Sequence, residues 1–338
     1  MMSKKIAVIG AGSWGTALAI SLAHHGHQVR LWDRKPDHVA EMKENRQNMR
    51  YLKGMMFEET LQPTDSMEEA VTGADLVLFA VAAQGFRSVL KKALPWMTPD
   101  MVLVNVAKGI EQKTLKRLSE IAEEYIPGVK YVVLSGPSHA EEVGQLMPTT
   151  VVAAAEDLEL AELVQDVFMT ERLRIYTNTD VVGVELGGAL KNIIALGAGI
   201  SDGMGFGDNA KAALMTRGMT EMSRLGVALG AKEETFAGLT GMGDLIVTCT
   251  SMHSRNRRCG IMIGEGVSPE DAVARVGMVV EGMFTAEAAY ELANKVGVEM
   301  PITEAIYGVI NGTVNAGEAV SALMTRSKKH EKEDTGIR

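Results

Sequence analysis

The sequence feature that most constrains the fold is a glycine-rich turn close to the start of the chain. An apolar run over residues 6–9 is followed by the pattern G-x-G-x-x-G, formed by Gly10, Gly12 and Gly15. This order predicts a buried parallel strand, a tight turn and the start of a helix. The first glycine permits the turn, the second lets a pyrophosphate approach the backbone, and the third lets helix and strand pack closely.

The glycine pattern alone is weak evidence, because 35 of the 338 residues are glycine and the pattern can arise by chance. Its context favours dinucleotide binding over an S-adenosylmethionine site or a structural turn. A helical pattern over residues 16–25 and a second strand over residues 28–32 lead to Asp33 and Arg34. Asp33 suits the ribose hydroxyl of NAD and Arg34 suits the 2′-phosphate of NADP, so both stay open, and we expect NADP (NADPH) as the main cofactor.

Strand and helix patterns alternate through the first half of the chain. Further strand patterns occur at residues 76–81, 102–106, 131–134, 150–154 and 174–176. Helix-like segments such as residues 114–125 separate them. The alternation predicts an α/β domain of the Rossmann type, with a doubly wound, mostly parallel sheet.

The pattern changes near residue 184, after which helical spacing dominates. The predicted helices cover residues 185–200, 208–229, 269–276, 285–296 and 302–311. We therefore expect an NAD(P)-binding Rossmann domain over residues 1–183 and an all-helical domain for substrate binding and catalysis over residues 184–326. Residues 327–338 are charged and poor in apolar side chains, which predicts a flexible tail.

Composition and charge make several classes of partner unfavourable. The net charge of −9 opposes binding to nucleic acid, so no such partner is expected. Glu185 and Lys191 interrupt the best apolar stretch, so we expect no membrane span. Cys249 and Cys259 have neither zinc-site nor disulfide spacing, so no metal is expected and a reducing cytoplasm is the simplest location.

One predicted helix of the second half carries an unusual lysine. Lys191 lies within the mostly apolar residues 189–196, which predict burial. A buried lysine needs a partner charge and has a tunable pKa, so it suits the proton donor of a ketone reduction. Gly187 and Gly188, one turn away, are expected to leave this face open to a ligand. The alternative is a structural ion pair at a domain interface.

Three further features suit a phosphorylated carbonyl substrate. Asp244 lies in a predicted glycine-rich loop over residues 240–244 and could orient a lysine or a substrate hydroxyl. Residues 254–258, SRNRR, bring three arginines together, as in a phosphate site, although a solvated basic surface has the same pattern. Lys108 follows a buried strand, and ligands of parallel sheets bind at the carboxyl ends of strands.

Taken together, these stretches resemble the bacterial NAD(P)-dependent glycerol-3-phosphate dehydrogenase family. The matching stretches are residues 10–15, 106–111, 135–140, 190–193, 205–211, 240–245, 254–256 and 280–282. They follow one another over almost the whole chain, which makes the resemblance specific. It implies a homodimer that interconverts dihydroxyacetone phosphate and sn-glycerol 3-phosphate by hydride transfer and supplies the latter to phospholipid synthesis.

The resemblance also implies the roles of individual residues. Lys191 is implied to be the catalytic acid/base, with Asp244 helping to orient the site. The residues implied to surround the substrate are Lys108, Gly136, Ser138, Lys191, Asp244, Ser254, Arg255 and Asn256. The residues implied to contact the cofactor, besides the three glycines of the turn, are Ser13, Trp14, Arg34, Lys108, Ala140, Arg255, Val279 and Glu281.

Two other functions remain open at this point. A two-domain 2-hydroxyacid or ketopantoate-type reductase would share the fold but would recognise a carboxylate instead of a phosphate. A non-catalytic NAD(P) sensor would bind the dinucleotide without turnover. The sensor predicts a mismatched second site, whereas Lys191, Asp244 and Arg255 supply a complete set of catalytic groups.

Overall fold

A computed structural model describes residues 3–328 and 330–331 of the chain, so much of the predicted tail lies outside the described residues. The strands are β1 Lys5–Ile9, β2 Gln28–Trp32, β3 Gln47–Asn48, β4 Leu52–Met56, β5 Leu61–Thr64, β6 Leu76–Phe79, β7 Val102–Asn105, β8 Tyr131–Ser135, β9 Thr149–Ala154 and β10 Leu173–Asn178. The helices of the first half are α1 Ser13–His24, α2 Pro36–Asn45, α3 Met67–Val71, α4 Phe86–Ala93, α5 Leu118–Tyr125, α6 Ala140–Gly144 and α7 Leu158–Phe168. Those of the second half are α8 Val181–Gly203, α9 Asp208–Ala228, α10 Glu233–Phe236, α11 Asp244–Thr250, α12 Arg255–Gly264, α13 Pro269–Val276, α14 Glu281–Val296, α15 Pro301–Ile310 and α16 Ala316–Met324.

Eight of the strands form one sheet, in the order β5-β2-β1-β6-β7-β8-β9-β10. Neighbouring strands run parallel except for the antiparallel pair β8 and β9. The strand order reverses between β1 and β6, and in such sheets ligands bind in the crevice at the carboxyl ends of the strands at this reversal. The predicted doubly wound, mostly parallel sheet is confirmed, and β9 and β10 extend it as expected.

The sheet has an apolar core on each face, because successive side chains of a strand point to opposite sides. Ile6 and Val8 of β1 pack in one core with α1, α2, α6 and α7. Ala7 and Ile9 pack in the other with α3, α4 and α5. Burial on both faces explains why β1 appears in the sequence as a continuous apolar run. It also holds the turn after β1 in a fixed position.

The second half is helical, and its described residues contain no strand, as predicted. Helix α8 is its central element, with α9, α11, α12 and α14 packed against it. Helices α8 and α12 approach each other through glycine. A Cβ on Gly199 would lie 2.1 Å from the carbonyl oxygen of Arg257, and a Cβ on Gly260 would lie 2.1 Å from that of Leu196. This close packing fixes the start of α12 relative to α8.

Four predicted helix starts are wrong, since α1 begins at Ser13 and not at residue 16, α14 begins at Glu281 and not at residue 285, and α5 and α8 also differ. Helix α5 begins at Leu118 and not at residue 114, because Leu115 has a positive φ of 59°, which a continuing helix does not allow. Helix α8 begins at Val181, so the expected boundary between residues 183 and 184 falls in its first turn. Val181 and Val184 pack in the core of the sheet, which makes α8 the direct link between the two halves.

Helix α8 has the length and apolar composition of a membrane-spanning helix, and it is the one such helix in the described part of the chain. Nearly all of it is buried inside the fold, as expected for the core helix of a globular protein. Within the same described residues, no three His, Cys, Asp or Glu side chains are grouped so that they could hold a metal ion.

Candidate active site

The glycine-rich turn joins β1 to α1 at the point where the strand order reverses. Gly10 has φ +115°, and a Cβ there would lie 2.6 Å from the carbonyl oxygen of Ala80. A Cβ on Gly15 would lie 2.0 Å from the carbonyl oxygen of Gly10, whereas one on Gly12 would meet no atom within 4 Å. Two glycines therefore serve close packing, and the third leaves an open cradle at the N-terminus of α1. This shape fits the pyrophosphate of a dinucleotide.

Three of the residues implied to contact the cofactor lie at the same edge of the sheet. Ser13 and Trp14 form the first turn of α1, and the hydroxyl of Ser13 donates to the carbonyl oxygen of Tyr51 over 2.9 Å. The buried indole N–H of Trp14 has no partner among the described residues. Arg34 follows β2 and is exposed, so its guanidinium is available to a ligand.

Glu281, another residue implied to contact the cofactor, holds a buried carboxylate oxygen. Glu281 is the first residue of α14, and its Oε1 accepts a hydrogen bond from the backbone N–H of Ala83 over 3.1 Å. Its Oε2 is buried and has no donor within the described chain, and burial raises the pKa of Glu281. Such an acceptor is suited to a ligand N–H. Ala140 is buried and Val279 is exposed.

Two lysines share one buried carboxylate between the halves of the molecule. The ammonium of Lys191, on α8, donates to Oδ1 of Asp244 over 2.9 Å. The ammonium of Lys108, just after β7, donates to Oδ2 of Asp244 over 2.7 Å. Only 7% of the Lys191 side chain and 2% of the Asp244 side chain are exposed. Two cations against one anion leave a net positive charge, which favours an anionic substrate.

The pKa values of this group suit proton transfer. Burial lowers the pKa of Lys191 to about 8, with a further lowering by the charge of Lys108 that the attraction of Asp244 opposes. Burial alone would raise the pKa of Asp244, but Lys108 and Lys191 hold it below its usual range. Asp244 is therefore ionised, and Lys191 can gain and lose a proton near neutral pH, as a general acid/base must.

Lys108 brings two more of the expected substrate residues to the same place. Its ammonium donates to the carbonyl oxygen of Gly136 over 2.8 Å and lies 3.3 Å from the hydroxyl oxygen of Ser138. Gly136 has φ +139°, and a Cβ there would lie 3.0 Å from Cα of Val151. The turn after β8 therefore requires glycine at this position, which directs the Gly136 carbonyl towards Lys108.

The start of α12 is held by two buried side chains. Ser254 is the N-cap of α12, and its Oγ accepts a hydrogen bond from the backbone N–H of Arg257 over 3.2 Å. Asn256 donates through Nδ2 to the side-chain oxygen of Asn192 over 2.9 Å, and its Oδ1 accepts from the N–H of Gly282 over 2.8 Å. Asn256 thus joins α8, α12 and α14 where they approach Lys191.

The three arginines at the start of α12 do not form one cationic cluster. Arg257 is paired with Asp202, which its Nε and Nη2 contact over 2.9 Å and 2.8 Å. Arg258 is half-buried, whereas Arg255 is exposed. Desolvation by the surrounding protein lowers the pKa of Arg255, an effect that Glu281 partly offsets. The predicted three-arginine phosphate site is therefore wrong for Arg257, and Arg255 is the candidate clamp.

The glycines beside Lys191 do not leave an open face, so that prediction is wrong. A Cβ on Gly187 would lie 2.9 Å from the carbonyl oxygen of Thr240, and a Cβ on Gly188 would lie 2.7 Å from the hydroxyl oxygen of Ser135. The two glycines let the turn before α11 and the end of β8 pack against α8. They bring Asp244 within reach of Lys191 instead of admitting a ligand.

Sequence analysis missed Thr248. The ammonium of Lys191 donates to Oγ1 of Thr248 over 2.7 Å, and this hydroxyl donates to the carbonyl oxygen of Asp244 over 2.6 Å. Asp244 was predicted to lie in a loop, but it is the first residue of α11 and follows a helical turn over Leu239–Gly243. A helix from Asp244 would have placed Thr248 one turn away, on the same face.

A glycine cradle at the centre of a doubly wound sheet, beside a buried lysine–aspartate group, defines a protein of the NAD(P)-dependent dehydrogenase class. Residues 5–161 match the family model of the NAD-dependent glycerol-3-phosphate dehydrogenase N-terminus, and residues 180–321 match that of the C-terminus. The chain therefore belongs to the NAD-dependent glycerol-3-phosphate dehydrogenase family.

Individual relatives agree with this assignment over almost their full length. Glycerol-3-phosphate dehydrogenase [NAD(P)+] of Pelotomaculum thermopropionicum is 55% identical, with 99% of this chain and 97% of the relative covered. The protein of the same name from Moorella thermoacetica is 56% identical, over 98% of this chain and 99% of the relative. The crystal structure of glycerol-3-phosphate dehydrogenase from Coxiella burnetii has a TM-score of 0.93 and 39% identity, covering 96% of this chain and 99% of that one.

Proposed function

We propose that the protein interconverts dihydroxyacetone phosphate and sn-glycerol 3-phosphate, with NADP(H) as the main cofactor and NAD(H) as the second. The observation that carries the proposal is the buried group in which Asp244 lies between Lys191 and Lys108. This group lies at the carboxyl ends of strands, as does the glycine cradle. Relatives over 50% identical that are named glycerol-3-phosphate dehydrogenase [NAD(P)+] support it.

Reduction of a ketone needs a hydride at the carbonyl carbon and a proton at the carbonyl oxygen. NAD(P)H supplies the hydride when it is bound. Lys191 supplies the proton, because it is the buried group whose pKa of about 8 allows both protonation states near neutral pH. Asp244 and Thr248 accept hydrogen bonds from its ammonium and so fix the direction of the remaining N–H.

The anionic substrate is held by the groups around this lysine. We assign the phosphate to Arg255, whose exposed guanidinium can donate two parallel hydrogen bonds. The donors of Ser254 and Asn256 lie at the same helix start, where the partial positive charge of α12 adds to the attraction. Lys108, Gly136 and Ser138 contact the substrate from the side of the sheet, in keeping with their mutual hydrogen bonds.

The domain roles, oligomeric state and cellular role that we propose rest on the same family relationship. We assign dinucleotide binding to residues 1–183 and substrate binding and catalysis to residues 184–326, with α8 as the link. The enzyme forms a homodimer, works in the cytoplasm and supplies glycerol 3-phosphate for phospholipid synthesis. Its partners are the small phosphorylated substrate and the dinucleotide.

A substrate assay tests the proposal. We expect purified protein to oxidise NADPH, and NADH more slowly, when dihydroxyacetone phosphate is added, and to remain inactive with ketopantoate. Turnover of ketopantoate without turnover of dihydroxyacetone phosphate would identify the carboxylate-specific reductase instead. Tight binding of NADPH without turnover of either substrate would identify a dinucleotide sensor.

A further inference from the structure

The acid expected to bind the cofactor ribose is not free. Asp33 follows β2 directly, and only 14% of its side chain is exposed. Its Oδ1 accepts a hydrogen bond from the backbone N–H of Lys35 over 2.9 Å. Its Oδ2 lies 3.0 Å from Nδ1 of His38, on α2, whose side chain is 1% exposed. Both carboxylate oxygens are therefore already engaged within the protein.

The hydrogen bonds around His38 determine where its hydrogens lie. Nε2 of His38 lies 3.0 Å from the side-chain oxygen of Asn48. The orientation of the Asn48 amide is fixed by four hydrogen bonds. Its oxygen accepts from the backbone N–H groups of Arg50 and Tyr51. Its nitrogen donates to the carbonyl oxygen of Ala11 and the hydroxyl oxygen of Thr16. Nε2 must therefore be a donor. Nδ1 lies against Oδ2 of Asp33, so His38 joins Asp33 to Asn48 in one chain of buried polar contacts.

The remaining charges at this edge of the sheet are more positive than negative, because Arg34 and Lys35 stand beside one exposed acid, Asp65, directly after β5. Arg50 lies 2.9 Å from Asp37 and 2.6 Å from Glu41, so these two acids are paired within α2 and the segment after it. Arg34 and Lys35 are exposed, and neither has a carboxylate within ion-pair distance in the described part of the chain. With Asp33 paired to His38, the local field favours a phosphate over a neutral hydroxyl.

We propose that His38 is a positioning residue for cofactor choice: by engaging Oδ2 of Asp33 it keeps this oxygen from accepting the ribose 2′-hydroxyl of NAD(H), and so favours NADP(H). This inference rests on the proposed function in that it takes the dinucleotide to be the ligand. It differs from a role in holding α2, because a purely structural residue would affect both dinucleotides alike.

The test measures dissociation constants of NADPH and NADH by isothermal titration calorimetry, without substrate, for wild-type, His38→Asn, Asp33→Asn and the double variant. We expect wild-type to bind NADPH more tightly. His38→Asn should lower the preference for NADPH, expressed as Kd for NADH divided by Kd for NADPH, about tenfold. The reason is that an unpaired Asp33 repels the 2′-phosphate and accepts the ribose hydroxyl of NADH. In the Asp33→Asn background the same change should leave the ratio unaltered. Asp37→Asn, which removes an exposed acid nearby, is the matched control and should leave it unaltered too.

Three results would overturn the inference: tighter binding of NADH by wild-type, equal weakening of both dinucleotides by His38→Asn, or a tenfold shift that persists in the double variant. If His38→Asn does not fold, Asp33→Asn alone decides, because a free Asp33 would make this variant lose NADH affinity about tenfold, whereas a paired one would not. Turnover of dihydroxyacetone phosphate is measured separately. Its absence alongside the expected binding ratios would refute the proposed function and leave this inference standing.

Discussion

Two buried charges on the same helix have opposite surroundings. Glu185 and Lys191 both lie on α8, six positions apart, and both are nearly inaccessible to solvent. Glu185 accepts four hydrogen bonds from the first half of the chain, from the N–H and hydroxyl of Ser119, the guanidinium of Arg117 and the hydroxyl of Tyr131. Lys191 has two acceptors for three N–H groups and shares its one carboxylate with another lysine.

The difference separates a structural charge from a reactive one. Glu185 is held by its four donors from the first half of the chain, and burial together with the Glu185 charge raises the pKa of Tyr131 well above its usual range. Burial, and with it the charge of Lys108, lowers the pKa of Lys191 to about 8 against the attraction of Asp244, so its ammonium form is only weakly favoured near neutral pH. A burial pattern alone does not distinguish these cases, whereas the count of partners does.

The largest expected effect is on turnover, from Lys191→Ala. Removing a general acid typically lowers kcat about 10²- to 10⁴-fold. The fold should survive, because Asp244 keeps its hydrogen bond to Lys108. Steady-state oxidation of NADPH with dihydroxyacetone phosphate measures the loss, and Lys92→Ala, an exposed lysine on α4, is the control. Turnover within a few-fold of wild-type would remove Lys191 from the chemistry and erase its contrast with Glu185.

The reverse pattern is expected for Glu185→Ala. This change leaves the buried Tyr131 hydroxyl and the Ser119 N–H without the Glu185 acceptor and removes one of the partners of Arg117, so the free energy of unfolding should fall by about 3 kcal/mol. The folded fraction should retain a kcat close to wild-type. Urea denaturation measures the first quantity, with the exposed Glu162→Ala on α7 as control. A large loss of kcat at unchanged stability would mean that Glu185 belongs to the reaction.

The parts that sequence predicted well depend on local chemistry. The turn of Gly10, Gly12 and Gly15 lies between adjacent elements, so the glycine spacing together with the strand and helix patterns beside it predicted the turn and its class of ligand. Burial of Lys191 followed from its apolar neighbours. By contrast, the hydrogen bond between Lys108 and Asp244 joins residues 136 positions apart, and no local pattern encodes that distance.

The errors have the same physical origin. Gly187 and Gly188 are small for the sake of packing, yet a ligand channel would require the same residue type. Arg257 has the charge of a phosphate clamp, but Asp202, on a distant part of the sequence, neutralises it. Asp33 has the residue type and position of a ribose-binding acid, but its Oδ2 is engaged by His38. In each case the residue type was right for two roles, and only the tertiary partner decided between them.

The smallest effect, and the finest test of the contrast on α8, is the pH dependence of turnover. Reduction uses the ammonium form of Lys191, so kcat/KM for reduction should be level below a pH of about 8 and fall about tenfold per unit above it. Oxidation of glycerol 3-phosphate uses the neutral amine, so its kcat/KM should rise with pH and level off above the same midpoint. Asp244→Asn should move the midpoint down, because Asp244 favours the ammonium, whereas Glu185→Ala should leave it in place since Glu185 is not among the groups that shift Lys191. Equal shifts in both variants would mean that the two charges of α8 are coupled, and the partner count would then no longer separate the reactive residue from the structural one.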